Sequence, residues 1–113
     1  MADCLFCKIA AGEIPSETVH RSDSVVAFRD INPAASTHIL VIPVRHVASA
    51  AELEDADGPL LAEIFETMTT LARQEGLESG YRIVTNVGPD AGQSVHHLHF
   101  HLIGGRNMSW PPG

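Results

Sequence analysis

Runs of apolar residues alternate with short polar turns along the chain, and their spacing predicts strands as well as helices. Two segments rich in β-branched residues, 18–21 and 25–28, flank a Ser-Asp-Ser turn and predict a hairpin. The continuous apolar run at 38–42 predicts a central strand that the following proline ends. Residues 81–87 and 95–103 predict two more strands, joined by a Gly-rich loop.

Two segments instead have the pattern of helices. Between residues 59 and 74 apolar side chains recur every three or four positions, which predicts a long amphipathic helix that begins near Pro59 and is capped by Gly76. A short apolar helix or turn is predicted at 5–11, before Gly12. Five strands with one long and one short helix predict an α+β fold built on an antiparallel sheet.

Length and charge narrow the class of protein. The 113 residues, of which 44% are apolar and 19% charged, predict a single domain over 1–113 without internal linkers. A net charge of −7 leaves no basic patch for duplex nucleic acid. No apolar run approaches the roughly 20 residues of a membrane span, so we expect no membrane partner. Residues 1–4 carry no basic segment before an apolar stretch, and we expect a cytoplasmic protein without a secretory signal.

The histidines are the clearest chemical signal. Seven are present, and four lie between residues 96 and 101. On a strand, His97, His99 and His101 would share one face, while the apolar residues 98, 100 and 102 would share the other. A single such histidine would be interpreted as a core residue satisfied by hydrogen bonds. Three on one face, opposite an apolar face, indicate a functional site, whereas His96 would point away from it.

Two kinds of chemistry fit three imidazoles on one face. A metal centre is the first, although same-face neighbours on a strand lie about 6.5–7 Å apart and do not easily grip one ion. A nucleophilic histidine is the second, because imidazole has a pKa near ~6.5 and is largely unprotonated at neutral pH. We favour the nucleophile.

The segment 97–103 resembles the motif of the histidine-triad family, which is His-φ-His-φ-His-φ-φ with φ apolar. The likeness extends over nearly the whole chain. It includes Gly12-Glu13-Ile14-Pro15, Phe28-Arg29-Asp30-Ile31-Asn32-Pro33, the segment 37–43, Asn86-Val87-Gly88, Gly92-Gln93-Ser94 and the tail 104–113. The branch that it resembles is the nucleotide-binding one, of the purine nucleoside phosphoramidase type.

The resemblance implies a nucleotidyl hydrolase acting on adenosine or guanosine 5′-phosphoramidates. His99 would attack the α-phosphorus, expel the amine and leave a nucleotidyl-histidine that water hydrolyses, with no cofactor required for catalysis. By the same resemblance, His101 would contact the phosphate oxygens and His38 would assist proton movement. Ser94 would lie near the leaving group.

A nucleotide pocket is also implied. Asp30 would bind the ribose hydroxyls, Asn86 would lie in the same pocket, and the backbone of Gly92-Gln93-Ser94 would offer N–H groups to the developing charge. The base would lie among Leu5, Phe6, Ile9, Ile14, Phe28 and Ile31. Without the resemblance, Asp30 is equally a turn residue and the apolar residues are ordinary core.

The two cysteines, Cys4 and Cys7, have the spacing of a metal clip or a redox pair. Tetrahedral zinc needs two further ligands, and the candidates are His46 and His97. The resemblance implies that such a structural zinc would clamp the N-terminus to the sheet edge. His97 would then be structural rather than part of the catalytic set, and an inert or redox-active pair is the alternative.

Two other functions stay open. A purine nucleotide-binding or scaffold module without turnover is the main alternative, and a metal-dependent hydrolase is the weaker one.

The resemblance implies a homodimer in which the strand 81–87 and the helix 59–74 join two sheets into one ten-stranded layer. That strand would otherwise be an open edge. The tail, with Trp110, would reach toward the partner's active site.

Overall fold

The computed structural model describes residues 4–113. Residues 1–3 lie outside the described residues, and they include most of the N-terminal segment from which a cytoplasmic protein was expected. The helices are α1 (Leu5–Ala10) and α2 (Gly58–Gln74), and the strands are β1 (Thr18–Arg21), β2 (Val25–Arg29), β3 (Thr37–Pro43), β4 (Tyr81–Val84) and β5 (Phe100–Gly104). Short 3₁₀ turns lie at Ala50–Glu52, Asp55–Asp57 and Pro89–Ala91.

The five strands form one antiparallel sheet in the order β1-β2-β3-β5-β4. All seven residues of β3 are buried, as a strand between two neighbours and two covered faces requires. The predicted α+β class and the central position of the strand at 38–42 are confirmed. β1 and β4 are the sheet edges.

The two faces of the sheet are covered unequally. The long helix α2 packs its apolar stripe on one face, around Ile64, Met68 and Leu71. It is capped as predicted, with Gly76 at a φ of +74°. The short helix α1 covers only part of the other face, through Phe6 and Ile9. The rest of that face is left for a cavity. Neither helix is long and apolar enough to cross a membrane.

Two predicted strands are shorter than expected. The strand predicted at 81–87 ends at Val84, and the one predicted at 95–103 begins only at Phe100. Before Phe100 the ladder with β3 fails because Pro43 has no N–H to donate. The N–H of Leu98 instead donates to Val47 O at 2.6 Å.

The predicted division into two faces is nevertheless correct. Leu98, Phe100 and Leu102 all lie in the core beneath α2. His97 and His99 lie on the opposite side, where both rings pack edge-on against Phe6. Alternation along an extended backbone therefore persists where strand pairing does not.

Candidate active site and metal cluster

A cavity of about 800 Å³ opens on the α1 side of the sheet. It brings together residues that lie far apart in the sequence, because α1, β2, β3 and β5 all face it. Of the predicted site residues it is lined by Leu5, Phe6, Ile9, Ile14, Phe28, Asp30, Ile31, His38, Ser94, His99 and His101. The predicted Asn86, Gly92, Gln93 and His97 are not among the lining residues.

One end of the cavity is apolar and partly open to solvent. Phe6 is buried and packs edge-on against Phe28, with ring centroids 5.5 Å apart, and against His99 at 5.1 Å. Ile31, at the rim, is 92% exposed. Apolar side chains that face solvent are unfavourable in the free protein. Their position in an open cavity therefore suits the binding of a flat aromatic ligand.

The ring of His99 has a defined tautomer. Its Nδ1 lies 2.7 Å from His97 O, and because a carbonyl only accepts, Nδ1 must carry the proton and donate. Nε2 is then left with a free lone pair. His99 lines the cavity, so the nitrogen not held by the backbone is the one available to a ligand.

A second histidine pair is ordered in the same way. The Ala34 N–H donates to His38 Nδ1 at 3.0 Å, which places the His38 proton on Nε2. Nε2–H then donates to His101 Nδ1 at 2.9 Å, so the proton of His101 is on Nε2. Burial lowers the pKa of His101 to about 4, with the charges of His99 and His38 adding to the effect. At neutral pH His101 is therefore an uncharged hydrogen-bond donor.

Asp30 forms a turn contact and also lies at the cavity, where its expected role at the ribose stays a prediction. Its Oδ1 accepts from the Asn32 N–H at 2.8 Å, which forms the turn. The same residue lines the cavity, and its Oδ2 lies 3.5 Å from His38 Nε2.

Asp30, His38 and His101 also lie close enough to share an ion, with ligand atoms within 4.8 Å of one another. The tautomers argue against a metal there, because His38 Nε2 carries the ring proton while Nδ1 already accepts a hydrogen bond from the Ala34 N–H. Binding at Nε2 would require the ring to lose its only N–H proton, or to move it to Nδ1 and break the hydrogen bond from Ala34. The metal-dependent hydrolase is disfavoured on that ground.

The Gly-rich loop plays a different part from the one expected. The N–H of Gly92 donates to Pro89 O at 3.0 Å, and that of Gln93 donates to Gly88 O at 3.1 Å. The Gln93 amide is also committed, since it donates to Ala48 O and accepts from the Gly88 N–H. Both residues therefore have a structural role in the loop, and their expected role in binding an anion stays a prediction. Ser94, next along the chain, does line the cavity.

Behind the cavity, Cys4, Cys7, His46 and His97 form a compact cluster with ligand atoms within 4.8 Å of one another. Sγ of Cys7 is 3.3 Å from His46 Nδ1 and 3.4 Å from His97 Nδ1, and Sγ of Cys4 is 3.3 Å from His97 Nδ1. Tetrahedral zinc bonds of about 2.0–2.3 Å give ligand separations of roughly 3.4–3.8 Å. The cluster fits a tetrahedral ion with only small adjustments.

The chemistry of these donors also suits a metal. His97 Nε2–H donates to Pro43 O at 2.8 Å, so Nδ1 presents its lone pair to the sulfurs. Burial lowers the pKa of His97 and keeps the ring neutral. Burial raises the pKa of the Cys7 thiol, so binding would release a proton. Both cysteines are free thiols.

Some contacts on the site had no visible signal in the sequence. Thr85 Oγ1 donates to His99 O at 2.8 Å and so holds the backbone of a segment that lacks strand pairing. A threonine next to a strand is unremarkable by composition. Ala34 acts through its backbone alone, and no sequence pattern identifies such a contact.

Comparison with known proteins agrees with this geometry. The HIT domain family model matches residues 11–108. A 14 kDa zinc-binding protein from Zea mays is 50% identical over 111 residues, covering 96% of this chain and 87% of its own. Adenylylsulfatase HINT1 from Arabidopsis thaliana is 49% identical over 111 residues, covering 96% and 76%. A HIT family hydrolase from Legionella pneumophila superposes with a TM-score of 0.96 at 53% identity, covering 98% of this chain and 100% of its own.

Proposed function

The chain belongs to the HIT domain family, and from that premise we propose that it hydrolyses purine nucleoside 5′-phosphoramidates through a covalent nucleotidyl-His99 intermediate. One observation carries the proposal. Two hydrogen-bond systems leave His99 Nε2 with a lone pair and His101 Nε2 with a proton, with both rings lining one cavity. A nucleophile and a donor are thus available together at neutral pH.

The reaction has two displacements. Nε2 of His99 attacks the α-phosphorus, the phosphorus–nitrogen bond to the leaving amine breaks, and the amine takes up a proton. His101 Nε2–H donates to a phosphate oxygen, where charge increases in the transition state. Water then attacks phosphorus, the bond to His99 Nε2 breaks, and the proton that water releases balances the one taken by the amine.

The remaining lining residues suit the rest of a nucleotide. The apolar end beside Phe6 and Phe28 would stack a purine, and the Asp30 carboxylate would accept hydrogen bonds from ribose hydroxyls. The Arabidopsis relative is named for an adenylyl substrate with a sulfate leaving group. Such a substrate shares the nucleotidyl half with a phosphoramidate, which supports the choice of substrate class.

Mass analysis tests the covalent step. Protein mixed with adenosine 5′-phosphoramidate and quenched with acid is expected to carry one nucleotidyl group on the peptide that contains His99. The same adduct is expected in the presence of a chelator, because the chemistry is assigned to imidazole. Turnover without any adduct would reject the covalent route. Tight AMP binding with neither adduct nor turnover would favour the purine nucleotide-binding module.

We also propose that the Cys4, Cys7, His46 and His97 cluster holds a structural zinc ion. Support comes from the four-donor geometry and from the maize relative, which is named a zinc-binding protein. A closed tetrahedral site of this kind contributes to folding rather than to the reaction. The ion would fix α1, which forms the apolar wall of the cavity, against the end of β3.

A homodimer is the last part of the proposal. The open edge of β4 and the exposed apolar side chains Phe65, Tyr81 and Val87 support pairing with a second copy. Two sheets of five strands would then become one layer. Trp110, 85% exposed on the tail, is a further large apolar side chain that a partner could cover.

A further inference from the structure

Arg106 lies at the start of the C-terminal tail, two residues beyond β5, and its guanidinium contacts the loop that precedes β3. Its Nε donates to Ala34 O at 3.0 Å. The N–H of the same Ala34 donates to His38 Nδ1, also at 3.0 Å. A single loop residue thus connects the tail to the histidine that fixes the tautomer of His101.

The position of Arg106 is itself fixed by its neighbours. The β3–β5 ladder ends at the pair Thr37 and Gly104, and the next residues on each strand, Ser36 and Gly105, are in contact. Gly105 has a φ of +94°, and a Cβ there would lie 1.9 Å from Ser36 Oγ. The positive φ favours glycine here, and a larger residue would also force the Ser36 side chain to move. Arg106 therefore extends toward Ala34 from a backbone that the loop already holds.

We propose that Arg106 is a positioning residue for the histidine pair. By holding the Ala34 carbonyl, it keeps the Ala34 N–H directed at His38 Nδ1, and so it keeps the protons of His38 and His101 on their Nε2 atoms. The catalytic consequence rests on the proposed hydrolysis, whereas the consequence for the tautomers does not.

Loss of this contact has a definite chemical outcome. If the Ala34 N–H leaves His38, Nδ1 of His38 becomes free to carry the ring proton, and Nε2 then offers a lone pair instead. His101 would follow by moving its own proton to Nδ1 in order to donate to His38. The cavity-facing nitrogen of His101 would then have no proton for the phosphate, so the donor is lost without any change in its side chain.

Three variants test the proposal. Arg106→Gln shortens the side chain and removes its charge, Arg106→Lys keeps a donor without the planar fork, and Arg82→Ala is the control. Arg82 also holds the tail, through the carbonyls of Ser109 and Pro112, but these contacts do not include the Ala34 loop. Each variant is examined by ¹⁵N NMR of the His38 ring nitrogens and the Ala34 amide at neutral pH, and by kcat and KM for adenosine 5′-phosphoramidate.

For Arg106→Gln we expect the two His38 ring nitrogens to shift toward each other, as the tautomers mix, and the Ala34 amide signal to move. We expect kcat to fall about 3- to 10-fold, as for one lost hydrogen bond, with KM within about twofold of wild type. Arg106→Lys should restore part of both, and Arg82→Ala should leave the His38 signals unchanged.

Unchanged His38 signals in Arg106→Gln would overturn the proposal, as would the same shift in Arg82→Ala, which would indicate general loosening of the tail. A shift without any fall in kcat would overturn the catalytic role. If wild-type protein fails to hydrolyse the phosphoramidate, the proposed function fails, and the ring-nitrogen measurement still decides whether Arg106 positions His38.

Discussion

The proposed metal cluster and the proposed catalytic cavity each depend on a histidine from the same short segment, and the two rings are held in opposite ways. His97 donates from Nε2 to Pro43 O, which leaves Nδ1 to the thiols. His99 donates from Nδ1 to His97 O, which leaves Nε2 to the cavity. The residue type is the same, and the choice of nitrogen is made by a backbone carbonyl.

The two regions also differ in access to solvent. The ring of His97 is completely buried beneath α1, as suits a ligand in a closed structural site. His99 and His101 line an open cavity, as suits groups that must meet a substrate. Phe6 lies between the two regions, because its ring packs against both His97 and His99. One region should therefore govern stability and the shape of the cavity wall, and the other should govern the chemical step.

The largest effect is expected on the cavity side. His99→Ala should lower kcat by about 1,000- to 10,000-fold, because the covalent nucleophile is lost while the rest of the cavity remains. Steady-state hydrolysis of adenosine 5′-phosphoramidate measures it. His96→Ala is the matched control, since that exposed residue neither lines the cavity nor joins the cluster. Turnover near the wild-type rate in His99→Ala would reject the covalent mechanism.

On the cluster side, the double variant Cys4→Ser, Cys7→Ser should reduce zinc from about one ion per chain to nearly none, by elemental analysis of protein purified without chelator. α1 forms the apolar wall of the cavity, so loss of zinc should also raise KM for the nucleotide, by about 10-fold or more. This is the change in affinity expected when the ligand loses contact with one apolar side chain. Zinc at full occupancy in this variant would mean that the ligands are wrongly assigned.

His97→Ala tests whether the two regions are separable. The substitution removes a proposed metal ligand but keeps the main-chain oxygen that orients His99, so kcat should fall by no more than about 10-fold while zinc is lost. The measurements are elemental analysis and steady-state kinetics on the same preparation. A fall as large as that of His99→Ala would show that the division between the regions is wrong.

The low pKa of His101 predicts a dependence of stability on pH. Its folded-state pKa is about 4, against an ordinary value of 6.5, so the unfolded chain binds the proton first as the pH falls. Stability is therefore lost on acidification from about 6.5 to about 4, and His101→Asn should reduce the slope of the urea midpoint in that window. The charged and titratable groups that face the ring are His38, His99 and Asp30, and the variant keeps all three. An unchanged slope would contradict the neutral state assigned to His101.

The smallest effect is expected from the tail. Removal of residues 110–113 should leave the protein a homodimer, as measured by light scattering. It should also change the ratio of kcat/KM between phosphoramidates with small and with bulky amines by about 3- to 10-fold, which is the effect expected of a modest change in a binding pocket. A monomer at micromolar concentration, in the wild-type protein, would refute the dimer. An unchanged preference after truncation would refute the part assigned to Trp110.

Much of the fold follows from local patterns in the sequence. The buried strand β3, the amphipathic stripe of α2 and the two faces around residues 97–102 are set by side-chain periodicity, which any stretch of chain displays by itself. The start of β5 was predicted too early because its ladder depends on Pro43, which lies in another strand. Strand pairing depends on two segments, so where a strand begins cannot be predicted from the sequence of that strand alone.

The site could be predicted in its side chains but not in its backbone contacts. The histidines, Asp30 and the cysteines are visible because few other residues supply their chemistry. The bonds from Thr85 to His99 O and from Arg106 to Ala34 O are not visible, because any residue offers a carbonyl. Gln93 shows the reverse case, since its amide looks suited to a ligand but bonds to the backbone of Gly88 and Ala48.

The hydrogen bond between His38 and His101 joins residues 63 positions apart, and the contact between Cys4 and His97 spans 93. Closing such long loops is among the slower events of folding, because their entropy must be lost before the contacts form. A chain that has formed only α2 and the β1–β2 hairpin therefore has neither site. If the proposed nucleotide and zinc bind as expected, they favour the completed structure over the unfolded chain, so each ligand should raise the stability of fully folded chains.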